Sequence, residues 1–290
     1  STTDPDARSM ILHGSVIEVA YNVQTVADSA NKLVLEYEVT NQNDRKALLP
    51  MAQKTKSICD TEAVAVLADK GYHNGEQLAA CQREDIYTYV AYQEVPRSNP
   101  VPTPEFYGER FRYNPKKDQY VCPQGHILKT TGQWYNKKYE KSVTRVKHYK
   151  TTACNNCEVR HLCTRNPNGR VIERSVHAEA VERNNRRVRE NSSVYTLRQQ
   201  IIEHIFGTIK RQWGYDHILL KGLRKNEGEF GLIYLIYNFR RVINILGLPK
   251  LKKWLRKLLF SIFTDRALRN CWQQLNYPGC RFGPINAQVA

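Results

Sequence analysis

Two short strings constrain this chain more than anything else in it. The first is the apolar run Ala63 to Ala68, closed by Asp69-Lys70-Gly71-Tyr72. A short apolar run bounded by turn residues predicts a buried strand, whose carboxyl end then delivers Asp69. Gly71 lets the chain turn sharply beside it. The second string is Ile202-Glu203-His204-Ile205-Phe206-Gly207-Thr208-Ile209-Lys210-Arg211. Leu197, Ile201, Ile205 and Ile209 recur at near-helical spacing, which predicts a helix from Val194 to about Trp213 with one apolar face. Ile202 and Ile205 bury the faces next to Glu203, and Gly207, one turn on, leaves space beside its carboxylate.

The remaining pattern organises the chain around these strings. Ser15 to Asp28 and Leu33 to Thr40 read as two strands of a hairpin across the turn Ser29 to Lys32. Asn41 to Asp44 offer helix caps ahead of a helix from Ala47 to Ile58, where Pro50 is tolerated in the first turn. Asn74 caps a helix to about Gln82, and Asp85 to Tyr92 is a further strand. That order is compatible with an α/β sheet. Glu94 to Pro104 holds Pro96, Pro100, Pro102 and Pro104 and reads as a linker. Phe106 to Thr152 is polar and aromatic, with turn signals at Asn114-Pro115 and Thr131-Gly132, and predicts small antiparallel hairpins. Asn166 to Gly169 is a tight turn. Helices follow at Val176–Glu190, Glu227–Leu246 and Lys250–Phe260. The second of these is the more apolar and is expected to be the more buried. The tail from Asn276 reads as loose.

Forty-four lysines and arginines face 28 aspartates and glutamates, a net charge of +16 over 290 residues. Such an excess points to a polyanionic partner, because phosphate neutralisation drives most non-specific nucleic-acid affinity. No apolar run approaches the roughly 20 residues of a membrane helix. No signal-peptide segment opens the chain, so it reads as cytoplasmic and associated with the nucleoid.

Two acids delivered by a strand end and a helix, in a strongly basic chain, point to magnesium-assisted chemistry on a phosphodiester. Ligands in open α/β sheets collect at the carboxyl ends of strands. Magnesium prefers oxygen ligands and keeps several waters, so a few acids suffice. Lys210 and Arg211 lie about two turns beyond Glu203 and could reach a phosphate. Taken singly, an Asp after a strand is more often a turn former, and a helical Glu a solvated residue.

Cys154-x-x-Cys157 and Cys163 cluster, with Cys122 upstream in Cys122-Pro123-Gln124-Gly125. Two sulfurs three positions apart can bind one zinc from a tight turn, and two more complete a tetrahedron. His126 and His161 are possible substitutes. Free thiols are the competing reading. A thioredoxin-like redox motif belongs near a βαβ pattern, which this region lacks. Cys59, Cys81, Cys271 and Cys280 are scattered and read as core or incidental. Between Trp134 and Tyr149, the cations Lys137, Lys138, Arg145 and Lys147 alternate with aromatics. They could track a DNA backbone, or form the wet face of a hairpin.

Both opening strings resemble the bacterial insertion-sequence transposases of the DDE type, whose cysteine-containing domains carry Ala-Asp-x-Gly-Tyr on a strand and Glu-(His/Arg)-x-Phe-Gly-x-x-Lys on a helix. Tyr21-Asn22-Val23-Gln24, Asn43-Asp44, Cys122-Pro123-x-Gly125 and Lys221-Gly222-Leu223-Arg224 through Glu229 look like segments of the same family in the same order. The resemblance runs from about Asp4 to Leu246. It implies an RNase H-like α/β core with a cysteine-rich, β-containing insert and a helical C-terminal part. Residues 1–93 would be the first part of the core, 94–173 the insert, 174–260 its helical completion and 261–290 a tail. It also implies metal-dependent DNA strand cleavage and transfer at element ends. Asp69 and Glu203 would be catalytic and hold Mg2+ or Mn2+, and Lys210, Arg211, Arg224 and the insert cations would hold DNA. Paired protomers, a homo-oligomer on transposon ends and target, are the expected working form. The family's first aspartate, on an opening strand, has no counterpart string here. Asp4 and Asp6 resemble the stretch that follows that strand, and Asp28 reads as a turn residue. The chain is therefore expected to be N-terminally truncated and to cleave poorly alone. The alternative is a non-catalytic, zinc-stapled DNA-binding remnant; an RNase H-like nuclease without preference for terminal repeats is a third reading.

Overall fold

The structure, a computed structural model, describes residues 2–11, 17–92, 101–139, 142–263 and 286–289. It is mixed α/β and divides into two compact units, Ser1–Tyr92 with Arg183–Ala290, and Gln93–Glu182. The strands are β1 (Arg8–Ile11), β2 (Ile17–Ala20), β3 (Asn22–Asp28), β4 (Val34–Thr40), β5 (Val64–Ala68), β6 (Ile86–Val90), β7 (Arg112–Asn114), β8 (Gln119–Val121), β9 (Ile127–Lys129), β10 (Tyr135–Tyr139), β11 (Ser142–Tyr149), β12 (Ile172–Ser175) and β13 (Asn286–Val289). The helices are α1 (Leu48–Ile58), α2 (Gly75–Arg83), α3 (Arg160–Cys163), α4 (Ala178–Glu190), α5 (Ser192–Phe206), α6 (Leu223–Leu246) and α7 (Leu248–Phe263).

The first unit is built on a five-stranded sheet in the order β4-β3-β13-β5-β6. β3 and β4 form the antiparallel hairpin that the turn at Ser29 to Lys32 predicts. The Asp28 carboxylate accepts the backbone N–H groups of Ala30, Asn31 and Leu33, so it is the turn former that its position implies. β5 and β6 run parallel, with Val64 beside Ile86 and Ala68 beside Val90. β3 is buried on both sides. Thr25 bonds the Tyr234 hydroxyl at 2.7 Å on one face, while Gln24 bonds Tyr72 on the other. α1 packs on β3, β4 and β5 and against α2, and Asn74 caps α2 by accepting from Glu76 N–H. Ala27, Val34, Ile201, Ile205, Ile209, Tyr234 and Tyr237 form one core cluster between the sheet and α5 and α6. Each such aliphatic side chain contributes on the order of 1.5–3 kcal/mol of burial. The tyrosine hydroxyls enter this core only because each has a hydrogen-bond partner.

Two expectations are overturned. α6 is apolar, but Leu232, Leu235, Ile236 and Phe239 are 64, 64, 58 and 51% exposed. Only the face bearing Tyr234 and Tyr237 meets the sheet, so an apolar composition does not bury the opposite face. The tail is also not loose throughout. Asn286–Val289 lies in the middle of the sheet, antiparallel to β3 and parallel to β5. Backbone pairing with two otherwise unmatched strand edges places it there, and such pairing leaves little trace in side-chain pattern. Residues 94–100 of the expected linker lie outside the described residues.

The second unit holds two three-stranded antiparallel sheets, β7-β8-β9 and β10-β11-β12. Their shared core is Phe111, Tyr120, Leu128, Tyr149 and Ile172. The turn between β7 and β8 carries Asp118, whose carboxylate accepts the Tyr113 and Tyr149 hydroxyls at 2.7 and 2.6 Å and the Lys147 ammonium at 2.7 Å. Burial alone would raise this carboxyl; the hydrogen bonds from Lys147, Tyr149 and Tyr113 more than reverse that, and hold it at about 2.

Candidate functional site

Asp69 sits directly after the buried strand β5, exposed, and caps the short 3-10 turn Lys70–Tyr72 by accepting from Lys70 N–H at 2.7 Å. Tyr72 turns inward and is buried, with its hydroxyl donating to Gln24. Burial pushes its phenol well above the usual range, and the charges of Asp44 and Asp69 add to that. Asp44 accepts from Asn22 at 2.6 Å and from Gln24 at 2.8 Å on one oxygen. Its other oxygen stands 2.7 Å from where a β-carbon on Gly71 would lie. Asn22, Gln24, Asp44, Gly71 and Tyr72 thus form one network that fixes the backbone carrying Asp69. Their positioning roles were missed in the sequence, where Asn43-Asp44 reads as a helix cap and as a family-like segment with no role assigned. The available signal was Gln24 between Val23 and Val26 in a strand pattern, since a buried amide needs partners.

Glu203 is exposed on α5, while Ile201, Ile202 and Ile205 beside it are buried. α5 packs against β5, the strand that ends at Asp69. The neighbouring His204 Nδ1 lies 2.9 Å from the Tyr237 hydroxyl, which itself donates to Lys32 C=O at 3.0 Å. The histidine therefore donates from Nδ1 and keeps Nε2 as an acceptor. Burial, with Lys32 and Arg241 nearby, lowers its basicity.

The predicted α-helix to Trp213 ends instead at Phe206, and Gly207–Gln212 winds as a π-helix. Thr208 donates its hydroxyl to the His204 carbonyl at 2.7 Å, a side-chain bond that competes with regular helix pairing. Space beside Gly207 is open, as its position next to Glu203 predicts. Lys210 and Arg211 are exposed on this wider turn, with the Lys210 ammonium 5.5 Å from the Phe206 ring. π-turns inside helices recur at functional sites. Among the described residues, no group of three or more His, Cys, Asp or Glu side chains gathers as a metal-binding set.

The segments before and after this site are tied together at the start of α6. The Asp4 carboxylate accepts the Tyr21 hydroxyl at 2.8 Å and Gly222 N–H at 3.3 Å, and Asp6 accepts Leu223 N–H at 3.1 Å. Burial would raise the Asp4 carboxyl, but the bonds from Tyr21 and from backbone N–H groups outweigh it and lower it. Asp4 and Asp6 serve here as helix-start acceptors, where negative charge is favourable. Arg224 is exposed on the first turn of α6. Glu229 accepts the backbone N–H groups of Leu219 and Leu220 and thereby shapes the loop ahead of that helix.

In the second unit, Cys122, Cys154, Cys157 and Cys163 line one small cavity of about 30 Å³, with His126 on its wall. Gly125, at φ +83°, closes the turn after Cys122, and Gly169 leaves Cys154 room that a β-carbon would take. Burial pushes the Cys163 thiol up to about 11; Arg170 opposes this, and the sulfurs of Cys154, Cys122 and Cys157 add to it. His161 is exposed and lies 3.1 Å from the Glu158 carbonyl. Cys81 is buried in the first unit, its thiol pushed up to about 12 by burial, and Cys59 is half-buried; Cys271 and Cys280 lie outside the described residues.

The insert cations divide into two kinds. Lys137 pairs with Glu173, and Lys147 pairs with Asp118 at 2.7 Å while standing 5.1 Å from the Trp134 ring. Arg145 also stacks on Trp134, and Lys138 is exposed. Tyr135 stacks on His148 with ring centroids 4.7 Å apart. Part of this basic face therefore holds the hairpin together.

No helix among the described residues is long and apolar enough to cross a membrane. No curated protein and no solved structure matches the chain. A family match covers residues 121–243, which takes in Glu203 and the four clustered cysteines and leaves Asp69 outside. Over that segment the chain is similar to the transposase DDE domain.

Proposed function

We propose that this chain cleaves and joins DNA strands at insertion-sequence ends, with Asp69 and Glu203 as its metal-holding carboxylates. The observation that carries the reading is that Asp69 follows the end of β5, Glu203 lies on a helix packed against that same strand, and both are exposed. The order β4-β3-β13-β5-β6, an antiparallel hairpin beside a parallel pair, supports an RNase H-like core, with the cysteine-bearing unit as its insert. Both carboxylates are open to solvent, and magnesium is commonly held by one or two carboxylates plus substrate phosphate oxygens. The donor set therefore fits Mg2+ or Mn2+, which when bound supplies Lewis-acid stabilisation of the transferring phosphoryl group.

The chain's own residues do the rest. The Asp44, Gln24 and Tyr72 network keeps the Asp69 backbone in place. Lys210, Arg211 and Arg224 are exposed cations suited to the phosphate backbone, as are Lys138 and Arg145 in the second unit. The four cysteines line one cavity and are the soft donor type that a structural zinc takes; to hold it their sulfurs would have to converge further than they do here, and their thiols to lose their protons. The test is an assay of DNA bearing the element's own ends, with and without Mg2+ or Mn2+. Binding of those ends with only weak, metal-dependent nicking is expected from two carboxylates alone; absence of binding, or cleavage indifferent to the metal or to the end sequence, would remove the transposase reading.

A further inference from the structure

The groove between β6 and the arginine face of α4 has no part in the site described above. Asn184, fully buried, donates to Val90 C=O at 2.8 Å and accepts Val90 N–H at 2.9 Å. This two-point bond clamps α4 to the end of β6. Arg183, Arg186 and Arg187 stand at i, i+3 and i+4, so the clamped helix turns all three to one side. They line a groove of about 500 Å³ with Gln82, Asp85 and Tyr87. Tyr87 lies on the solvent side of β6 and is 54% exposed, with the Arg187 guanidinium 5.9 Å from its ring. Asp85 is the one acid on the wall, against three guanidinium groups.

We propose that this groove is a second contact for the DNA backbone, distinct from the Asp69–Glu203 site and resting on the DNA-processing reading above. Guanidinium forks match phosphate oxygens in pairs, and an exposed tyrosine ring offers a face to an unpaired base or a sugar. The placement fits a continuous strand. Tyr87 stands beside Ala65 in the parallel register, four residues before Asp69. At roughly 3.3 Å per residue that is about 13 Å along the strand. Duplex DNA advances by about 3.4 Å per base pair, so along the strand direction the offset between Tyr87 and Asp69 is on the order of four base pairs.

The experiment is a salt titration of duplex DNA binding by the full chain. It compares the parent with Arg186→Gln, Arg186→Gln/Arg187→Gln, and Lys117→Gln on the exposed β7–β8 turn as control. Each lost phosphate contact lowers the slope of log affinity against log salt by about 0.9. The double variant should lose nearly two in slope and about tenfold or more in affinity at low salt. The single variant should lose about half of that slope, and it keeps the test valid if the double variant fails to fold. Lys117→Gln should match the parent, and bound DNA should be cleaved at the parental rate. A parent that binds DNA while both arginine variants keep its slope would overturn the groove alone. A parent without salt-dependent DNA binding would overturn the groove together with the reading beneath it.

Discussion

The Asp44 carboxylate occupies the space that a β-carbon at Gly71 would need: the two would stand 2.7 Å apart. The carboxylate cannot simply swing away, because Asn22 and Gln24 both donate to it. Gly71→Ala should therefore destabilise the first unit by roughly 1–3 kcal/mol, the usual cost of overpacking. Asp44→Ala removes the obstruction and should make the two substitutions markedly non-additive in a double-mutant cycle. Denaturation midpoints of the four proteins check this; additive costs would mean the two residues do not share the space.

Asp69→Asn and Glu203→Gln keep shape and remove one charge each. Metal-dependent cleavage should fall by several orders of magnitude in both, while DNA affinity changes little because it depends on lysine and arginine. Cleavage rates and binding isotherms measured on the same preparations separate the two effects. Parental cleavage by Glu203→Gln, or joint loss of cutting and binding, would contradict the assigned division of labour.

The cysteine cavity predicts zinc in the purified protein, lost in Cys154→Ala and Cys157→Ala. Chelation should lower the unfolding temperature of the second unit, since binding energy at such a site is folding energy. Gly169→Ala should weaken retention too: its β-carbon would lie 2.7 Å from that of Cys154, and φ there is +83°. Metal analysis and thiol titration of the native protein decide the matter, and zinc-free protein with all four thiols reactive would refute it.

Asp118 gives the second unit an acid limit. Its folded carboxyl, at about 2, lies below its ordinary 3.8. A depressed carboxyl stabilises the fold fully above the ordinary value, and that contribution is lost as pH falls from 3.8 through about 2. Asp118→Asn should lower stability at neutral pH and flatten the loss on acidification, because Lys147, Tyr113 and Tyr149 lose their charged acceptor. Fluorescence of Trp134, which lies in this unit, can follow unfolding across that range. An unchanged acid limb in the variant would assign the loss to other groups.

What the sequence determined by itself was local. Ala63 to Ala68 read as a short buried strand, which runs from Val64 to Ala68, Asp28 as a turn former, Asn74 as a cap, and Ile201 and Ile205 as an inward helix face. Each follows from periodicity or from one side chain's reach to nearby backbone. The strand-end place of Asp69 and the helical place of Glu203 were legible in the same way, from short strings.

Tertiary structure decided what depends on distant partners. Gln24, Asp44 and Gly71 acquire meaning only when β3, the turn before α1 and the end of β5 are brought side by side. The exposed face of α6 and the central place of Asn286–Val289 follow from which surfaces and strand edges remain to be covered. The π-turn after Phe206 depends on a hydroxyl choosing one carbonyl over solvent. Burial and strand pairing are properties of neighbours, so a residue's own chemistry constrains them only weakly.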